Sequence, residues 1–431
     1  MHDDALARAV RRWKIGFAAF ATAAAVSGLG GCGGGNAPGA MRDATQGAAD
    51  PATTSYHATR IGPGYGFAVN ASGQVAGNVP SSNGEASAFL LDGSRRLEIR
   101  SPDRGIVEAI DLNDAGQVVG SFSNADGVQE AFSWTSQGGF VRIAPRSDKV
   151  LASRAHDVNQ SGQVVGTLVT PQGDKGFLWS PATGLVTRFG EDTYLASALR
   201  INDTGLIAGE VLSDGRRRPV LLEIASGALA FVAPAPAGSL RPAGPRLPIH
   251  LNDAGEVAGS LDSPLGPQFA RAFYARPREG LFVDLEARVS QQFPGRHHEE
   301  LGTFVTALNE RGEVLIGVPN GLQAYFWSAA EGLGDMRPPA AGSSLFFNAL
   351  NRHGVAVGLA EDRTAYALAW TRASGAVELE RRIVNRPEEP GRWLRTARAI
   401  NDRGQILGLG EFGAVLLTPV AEGLSGTLPG P

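Results

Sequence analysis

The chain has 431 residues, 43% of them hydrophobic and 19% charged, an ordinary globular composition with material for a sizeable core. Its formal net charge of -4 argues against a nucleic-acid surface, which is normally basic. With a single cysteine there is no internal disulfide, so the fold must rest on packing and hydrogen bonding.

The first segment reads as an address. Arg8, Arg11, Arg12 and Lys14 form a positive stretch ahead of the apolar run 15–26, which is too short to span a bilayer comfortably. Leu29-Gly30-Gly31-Cys32 follows and resembles the bacterial lipobox, with the sole cysteine where that motif places its lipidated residue. Residues 1–31 are therefore expected to be a lipoprotein signal peptide and Cys32 the lipidation site. Gly33 beside it resembles the outer-membrane sorting pattern, so the expected location is the cell envelope, lipid-anchored at the outer membrane and facing periplasm or exterior. Residues 32–55, rich in Gly, Ala, Asn, Asp and Thr, read as a flexible tether. Ordered structure is expected from Tyr56–Ile61 to residue 420, with 421–431 a disordered tail.

From Asn70 onward one phrase recurs: an apolar residue, Asn, two variable positions, Gly, then a short β-prone run ending in Gly. Its asparagines are Asn70, Asn113, Asn159, Asn202, Asn252, Asn309, Asn351 and Asn401, and each has Gly three residues later. Asn at the start of a turn can hydrogen-bond the backbone two residues on. Gly at the fourth position takes φ > 0, which suits a type I turn closed by a G1 bulge. Each copy therefore reads as strand, tight turn, strand, and the turn accounts for the repeated Asn without invoking a ring of ligands.

A third apolar run follows each hairpin, as in Ala88-Phe89-Leu90-Leu91, Ala131-Phe132-Ser133-Trp134 and Gly176-Phe177-Leu178-Trp179. Most are followed by a Gly-containing turn and a fourth strand, such as Gly139-Phe140-Val141-Arg142-Ile143. Four strands per unit at spacings of 43, 46, 43, 50, 57, 42 and 50 residues match propeller blades, which run to about 40–50 residues. The strand Tyr56–Ile61 precedes the first repeat without a hairpin of its own, and the last repeat ends at Pro419 without a clear fourth strand. The two deficits match, so the predicted fold is all-β: an eight-bladed β-propeller of four-stranded blades, closed by the N-terminal strand in the last blade.

The Asn-x-x-Gly-x-Val-x-Gly core with an Ala-Phe-x-Trp run behind it resembles the bacterial extracellular HAF-repeat family over the whole mature chain. The chain departs from that pattern in having no His before Ala-Phe, where Ser87, Glu130, Lys175 and Arg271 stand in different copies. The resemblance implies a secreted or surface repeat protein. It brings no reaction, and no catalytic residue is carried over from it.

Chemistry is thin in the residues themselves. There is no Gly-x-Ser-x-Gly, no His-Glu-x-x-His, no phosphate loop and no paired-cysteine site, so no catalytic residue, metal or cofactor is expected. Arg296-His297-His298-Glu299-Glu300 lacks any known ligand spacing and reads as a solvated loop. Blade topology is more informative, because it puts the Asn turns on one face and the variable connections on the other. The irregular stretches 234–248, 263–271, 288–301 and 381–395 all belong to that second face, where binding residues commonly sit. Arg216, Arg217, Arg218, His297, His298, Arg381, Arg392, Trp393 and Arg395 are its candidate binding residues. Arginine with an exposed aromatic suits an acidic glycan or a protein surface.

A second candidate lies on the innermost strands. Two residues before each Asn stand Ala68, Asp111, Asp157, Arg200, His250, Ala307, Ala349 and Ala399. Asp111, Asp157, Arg200 and His250 on four successive blades form either an ion-pair network or a channel site. Two functions follow: a non-catalytic binding or scaffold lipoprotein for a glycan or envelope protein, or a propeller enzyme acting on carbohydrate through Asp111, Asp157 and His250. The enzyme needs carboxylates converging in an open channel, whereas the network needs them pointing between blades. Nucleic acid is not an expected partner, and the membrane is engaged only through the lipid.

Overall fold

The computed structural model describes residues 50–420 except 81–85, 192, 235–248, 264–265, 296–300, 320, 339–341, 387–392 and 412. The signal peptide, Cys32, most of the tether, His297, His298, Arg392 and the tail lie outside the described residues. Eight four-stranded antiparallel sheets follow one another, seven of them with their strands in sequence order, taken here as a to d from the innermost outward. Blade 1 comprises Tyr65–Val69, Val75–Val79, Ser87–Asp92 and Arg95–Ile99. Blades 2 to 7 occupy 107–142, 152–186, 197–231, 249–284, 304–336 and 344–378. The a strands of successive blades touch all the way round, blade 8 against blade 1 included, so they are the inner strands of a closed ring.

Blade 8 takes three strands from the C-terminal end (Leu394–Ile400, Ile406–Gly410 and Gly413–Pro419) and its outer strand, Tyr56–Gly62, from the other end. The pairing runs antiparallel from Tyr56↔Pro419 to Gly62↔Ala414. A second clasp holds the same strand from the connection between blades 7 and 8. Tyr56 bridges Ile383 in parallel, Val384 N–H donates to the Tyr56 carbonyl at 2.9 Å, and the Asn385 amide bonds both N–H and C=O of Ala58 at 2.8 and 2.9 Å. The closing strand is therefore tied on both sides, which removes an open sheet edge.

The repeated phrase maps onto a repeated packing unit. In seven of the eight blades the a strand bulges three residues before the Asn, as between Ala109 and Asp111. The bulge drives a carbonyl toward strand b, where a Cβ on Gly120 would lie 2.1 Å from the Glu108 oxygen, so only glycine fits. On the other side of that glycine lies strand c, and the pairs Gly77↔Phe89, Gly120↔Phe132, Gly166↔Phe177 and Gly259↔Phe273 show the ring of the Ala-Phe phrase filling the space. These rings sit in apolar clusters between neighbouring blades. The cluster at the junction joins Ile61, Val69 and Phe89 to Leu407, Ala414 and Leu416, so hydrophobic burial closes the ring as well.

Three local expectations are corrected. The last six residues of the tether are folded: the carbonyl of Asp50 accepts from Thr53 N–H and Thr54 N–H, and Val420 N–H reaches the Ser55 carbonyl. The stretch 263–271 is not an irregular insertion, because Val257–Ser263 and Gly266–Arg276 continue as a long hairpin. The stretch from 288 contains most of a helix, Leu285–Gln292, capped by Asp284, whose carboxylate accepts from Ala287 N–H at 3.0 Å. Leu285 and Val289 bury its inner face against blades 5 and 6, a contact too short in period to be legible in the sequence.

Candidate functional site

The eight asparagines do more than shape turns. Asn113 Oδ1 accepts from the backbone N–H groups of Ala115 and Gln117, as the turn requires. Its Nδ2 donates across the blade boundary to the Asn159 carbonyl at 3.0 Å. The same bond runs from Asn70 to Asn113, Asn159 to Asn202, Asn202 to Asn252, Asn252 to Asn309, Asn309 to Asn351, Asn351 to Asn401, and Asn401 back to Asn70. Eight buried amides thus form a closed hydrogen-bond ring around the axis. The turn chemistry explains the oxygen of each side chain, and the ring explains its nitrogen. In blades 1, 2, 3, 5, 6 and 8 a Gln or Glu four residues after the Asn steadies that nitrogen, as Gln74 does at 2.7 Å and Glu256 at 2.7 Å.

A second, incomplete ring lies one residue further on. The backbone N–H at that position donates to the side chain at the same position of the next blade: Ala71 to Asp114, Asp114 to Gln160, Gln160 to Asp203, Asp203 to Asp253, Asp253 to Glu310, and Arg352 to Asp402, at 2.8–3.0 Å. Five of the eight residues at this repeat position are acids, a pattern visible in the sequence: Asp114, Asp203, Asp253, Glu310 and Asp402. Their crowding shows in Glu310, whose carboxyl is pushed up to about 7 by burial, with the charges of Asp253, Asp203 and Asp402 adding to it and the Asp253 N–H opposing.

Below this mouth a narrow axial cavity open to solvent is walled by Asp157, Arg200 and His250 on one side and Leu308 and Leu350 on the other. The structure does bring the predicted quartet together, but it directs the carboxylates between blades. Asp111 Oδ2 accepts from Val158 N–H at 3.0 Å, and Asp157 Oδ2 from Ile201 N–H at 2.7 Å. Arg200 lies 3.4 Å from Asp157 Oδ1 and donates from Nε to the Ile249 carbonyl at 3.2 Å. Asp111, Asp157 and Arg200 thus each serve a backbone group of the next blade. Asp157 is held well above the usual carboxylate range by burial first and by the neighbouring Asp111 carboxyl second, with Arg200 opposing. In blades 6, 7, 8 and 1 the same position is Ala307, Ala349, Ala399 and Ala68, each packed into an apolar cluster. His156, at the bulge of blade 3, is half-buried at the surface, bonds Thr167 Oγ1 at 3.1 Å, and is lowered to about 3 by desolvation and by Arg154 and Arg200.

The candidate binding residues of the opposite face fall into two groups on opposite sides of the ring, not one patch. Arg216, Arg217 and Arg218 belong to the b–c hairpin of blade 4, whereas Arg381, Trp393 and Arg395 flank blade 8. Arg217 pairs with Asp174 of blade 3 and with Glu210, the latter at 3.1 Å. Arg218 lies 3.9 Å above the Phe231 ring. Arg381 pairs with Glu378 at 2.8 Å and Arg395 stands 3.7 Å from Glu411. Trp393 requires a correction: it is 4% exposed and packs with Tyr56, Ile383 and Leu394 at the junction of blades 7 and 8, because the closing strand needs a large apolar anchor there. It offers no ring to a ligand. Among the described residues no group of three or more His, Cys, Asp or Glu side chains is placed to hold a metal ion, and no helix is long and apolar enough to cross a membrane.

Fold and site define a closed eight-bladed propeller with a polar axial cavity. No family model matches the sequence, and no curated protein matches it. Among solved structures, a catalytically inactive virginiamycin B lyase from Staphylococcus aureus with quinupristin is similar at 11% identity and a TM-score of 0.43, over 85% of this chain and 100% of that one. The BP39L lectin from Burkholderia pseudomallei is similar at 10% identity and a TM-score of 0.41, over 75% and 97% of the two chains. These likenesses concern the fold alone.

Proposed function

We propose that the chain is a non-catalytic binding or scaffold propeller of the cell envelope, a member of the HAF-repeat group held to the membrane by a lipid on Cys32, with its irregular face turned to a glycan or protein partner. One observation carries the reading: Asp111 and Asp157 are engaged by backbone N–H groups of the next blade and so act as joints between blades. The turn face is likewise occupied by the two hydrogen-bond rings, which leaves chemical variety to the connections opposite, on a rigid support. Two measurements test it. Labelled palmitate should enter the full chain and be lost with Cys32→Ser, and the immobilised chain should retain a specific glycan or envelope protein. Unchanged labelling in Cys32→Ser would refute the anchor, and an empty glycan and envelope-protein screen would refute the binding role.

The carbohydrate-acting alternative draws on a single observation, Asp157 on the cavity wall, whose carboxyl is held above the usual range by burial and by the Asp111 carboxyl. Sugar release from envelope polysaccharide that disappears with Asp157→Asn in a folded chain would establish the enzyme instead.

A further inference from the structure

Blades 3 and 4 carry two adjacent hairpins on the irregular face, joined by the Arg217–Asp174 ion pair. Around that pair lie Lys175 on one hairpin and Arg216 and Arg218 on the other. Among the described residues Lys175, Arg216 and Arg218 have no carboxylate within salt-bridge distance, a state they share with arginines elsewhere such as Arg95, Arg188 and Arg363; what sets them apart is their place beside exposed aromatic rings. Arg217 already neutralises part of the acidic neighbourhood made by Asp174 and Glu210, and Asp214 at the hairpin tip bonds the Ser213 hydroxyl.

The cations are interleaved with exposed apolar groups. Arg218 is laid on the Phe231 ring at 3.9 Å and Lys175 stands 6.0 Å from the Tyr194 ring. Tyr194 is 46% exposed and Phe231 48%. A guanidinium stacked on an aromatic ring keeps its donor fork in a fixed orientation at little further entropic cost, which suits a planar carboxylate. A chain that alternates carboxylates with flat C–H faces matches such a strip better than a globular acidic surface does.

We propose that this strip binds an acidic polysaccharide of the uronate class, with its carboxylates on Arg216, Arg218 and Lys175 and its sugar rings against Tyr194 and Phe231. The proposal rests on the binding reading above and gives that reading a ligand class and a place.

The test uses the full chain and labelled polygalacturonate oligosaccharides, with dextran, polyglutamate and phosphatidylglycerol vesicles as comparison ligands. Polygalacturonate should bind, weaken with salt, and lose affinity by about tenfold or more in Arg216→Glu/Arg218→Glu, while Arg100→Glu, exposed on blade 1 and in neither candidate group, stays within about twofold. Lys175→Ala/Arg216→Ala serves as the second variant should the charge reversal disturb folding, and it should also weaken binding. Equal binding of dextran, equal or stronger binding of polyglutamate or vesicles, or affinity unmoved by both variants overturns the proposal. Absence of polygalacturonate binding beside another retained glycan or protein overturns it while leaving the binding reading intact. If nothing at all is retained, both fall.

Discussion

The two faces of the ring solve different problems. On the turn face every blade does the same thing: Asn caps its own turn with its oxygen and holds the next blade with its nitrogen. On the opposite face the described connections differ, from the helix Leu285–Gln292 to the turn Leu379–Arg382. The difference teaches that blade-to-blade cohesion is concentrated where the repeat is strict. Repeated residues within one chain mark the bonds that must close a circle, and the far side is released to vary.

The largest expected effect comes from opening that circle. A chain beginning at Gly62 lacks the strand paired to Gly413–Pro419 and to Asn385, and also the packing of Tyr56 and Ile61 at two blade junctions. Compared with a chain beginning at Asp50, it should aggregate or melt far lower, measurable by size exclusion and thermal denaturation. An unchanged, monomeric melting profile would show that the ring is not closed there.

Next comes the Asn ring. Asn113→Ala removes two turn-capping bonds and the bond to the Asn159 carbonyl, and it leaves buried partners unsatisfied. A loss of about 2–4 kcal/mol in denaturant titration is expected. Arg395→Ala on the other face, exposed and 3.7 Å from Glu411, should stay within about 0.5 kcal/mol. Similar losses from both variants would erase the distinction between the faces.

How much of this was readable beforehand follows the same division. The blades, the turns and the closing strand were legible because Asn, Gly and the aromatic phrase recur at fixed offsets, and each has a local backbone reason. Gly73 and its seven counterparts do adopt positive φ, from 70° at Gly312 to 88° at Gly73. What a turn rule cannot show is a partner 43 or 50 residues away, so the nitrogen side of the Asn ring and the carboxylates Asp203, Asp253 and Glu310 escaped notice. Trp393 was misjudged for the same reason: the strand that buries it comes from the opposite end of the chain. The shared repeat position of Asp111, Asp157, Arg200 and His250 was readable, but where each side chain is directed depends on its a strand and on the backbone of the next blade.

Glycine substitutions sharpen the comparison within the turn face itself. A Cβ on Gly205 would meet open space, so Gly205→Ala pays only for a φ of 82°, about 1 kcal/mol. A Cβ on Gly312 would lie 2.5 Å from Glu256 Oε2. That carboxylate cannot swing aside easily, being held by Asn252, the Tyr274 hydroxyl and Arg276 at 2.6–2.9 Å. Gly312→Ala should therefore be the more damaging by about 1 kcal/mol or more, read as a lower denaturation midpoint. Equal midpoints would mean that Glu256 is not fixed across the blade boundary.

The smallest effect concerns the charge that the turn face gathers at its mouth. Glu310 holds its proton up to about 7 in the folded chain against an ordinary 4.5, so the folded state binds that proton more tightly than the unfolded state. Its contribution is complete below 4.5 and is lost as pH rises through about 7, when a further negative charge must form beside Asp253, Asp203 and Asp402. Asp157, also raised, acts in the same direction. His156 acts in the opposite one: lowered to about 3, it favours the fold above 6.5 and ceases to do so as the pH falls and the unfolded chain takes up the proton. Glu310→Gln keeps an oxygen for the Asp253 N–H but cannot ionise. Urea midpoints for this variant should match the parent near pH 5 and exceed it near pH 8, by on the order of 1 kcal/mol after solvent screening of a half-buried group. If the two midpoint curves run parallel from pH 5 to 8, the acids of the turn face do not repel one another, and the mouth is as neutral to the fold as the loops opposite.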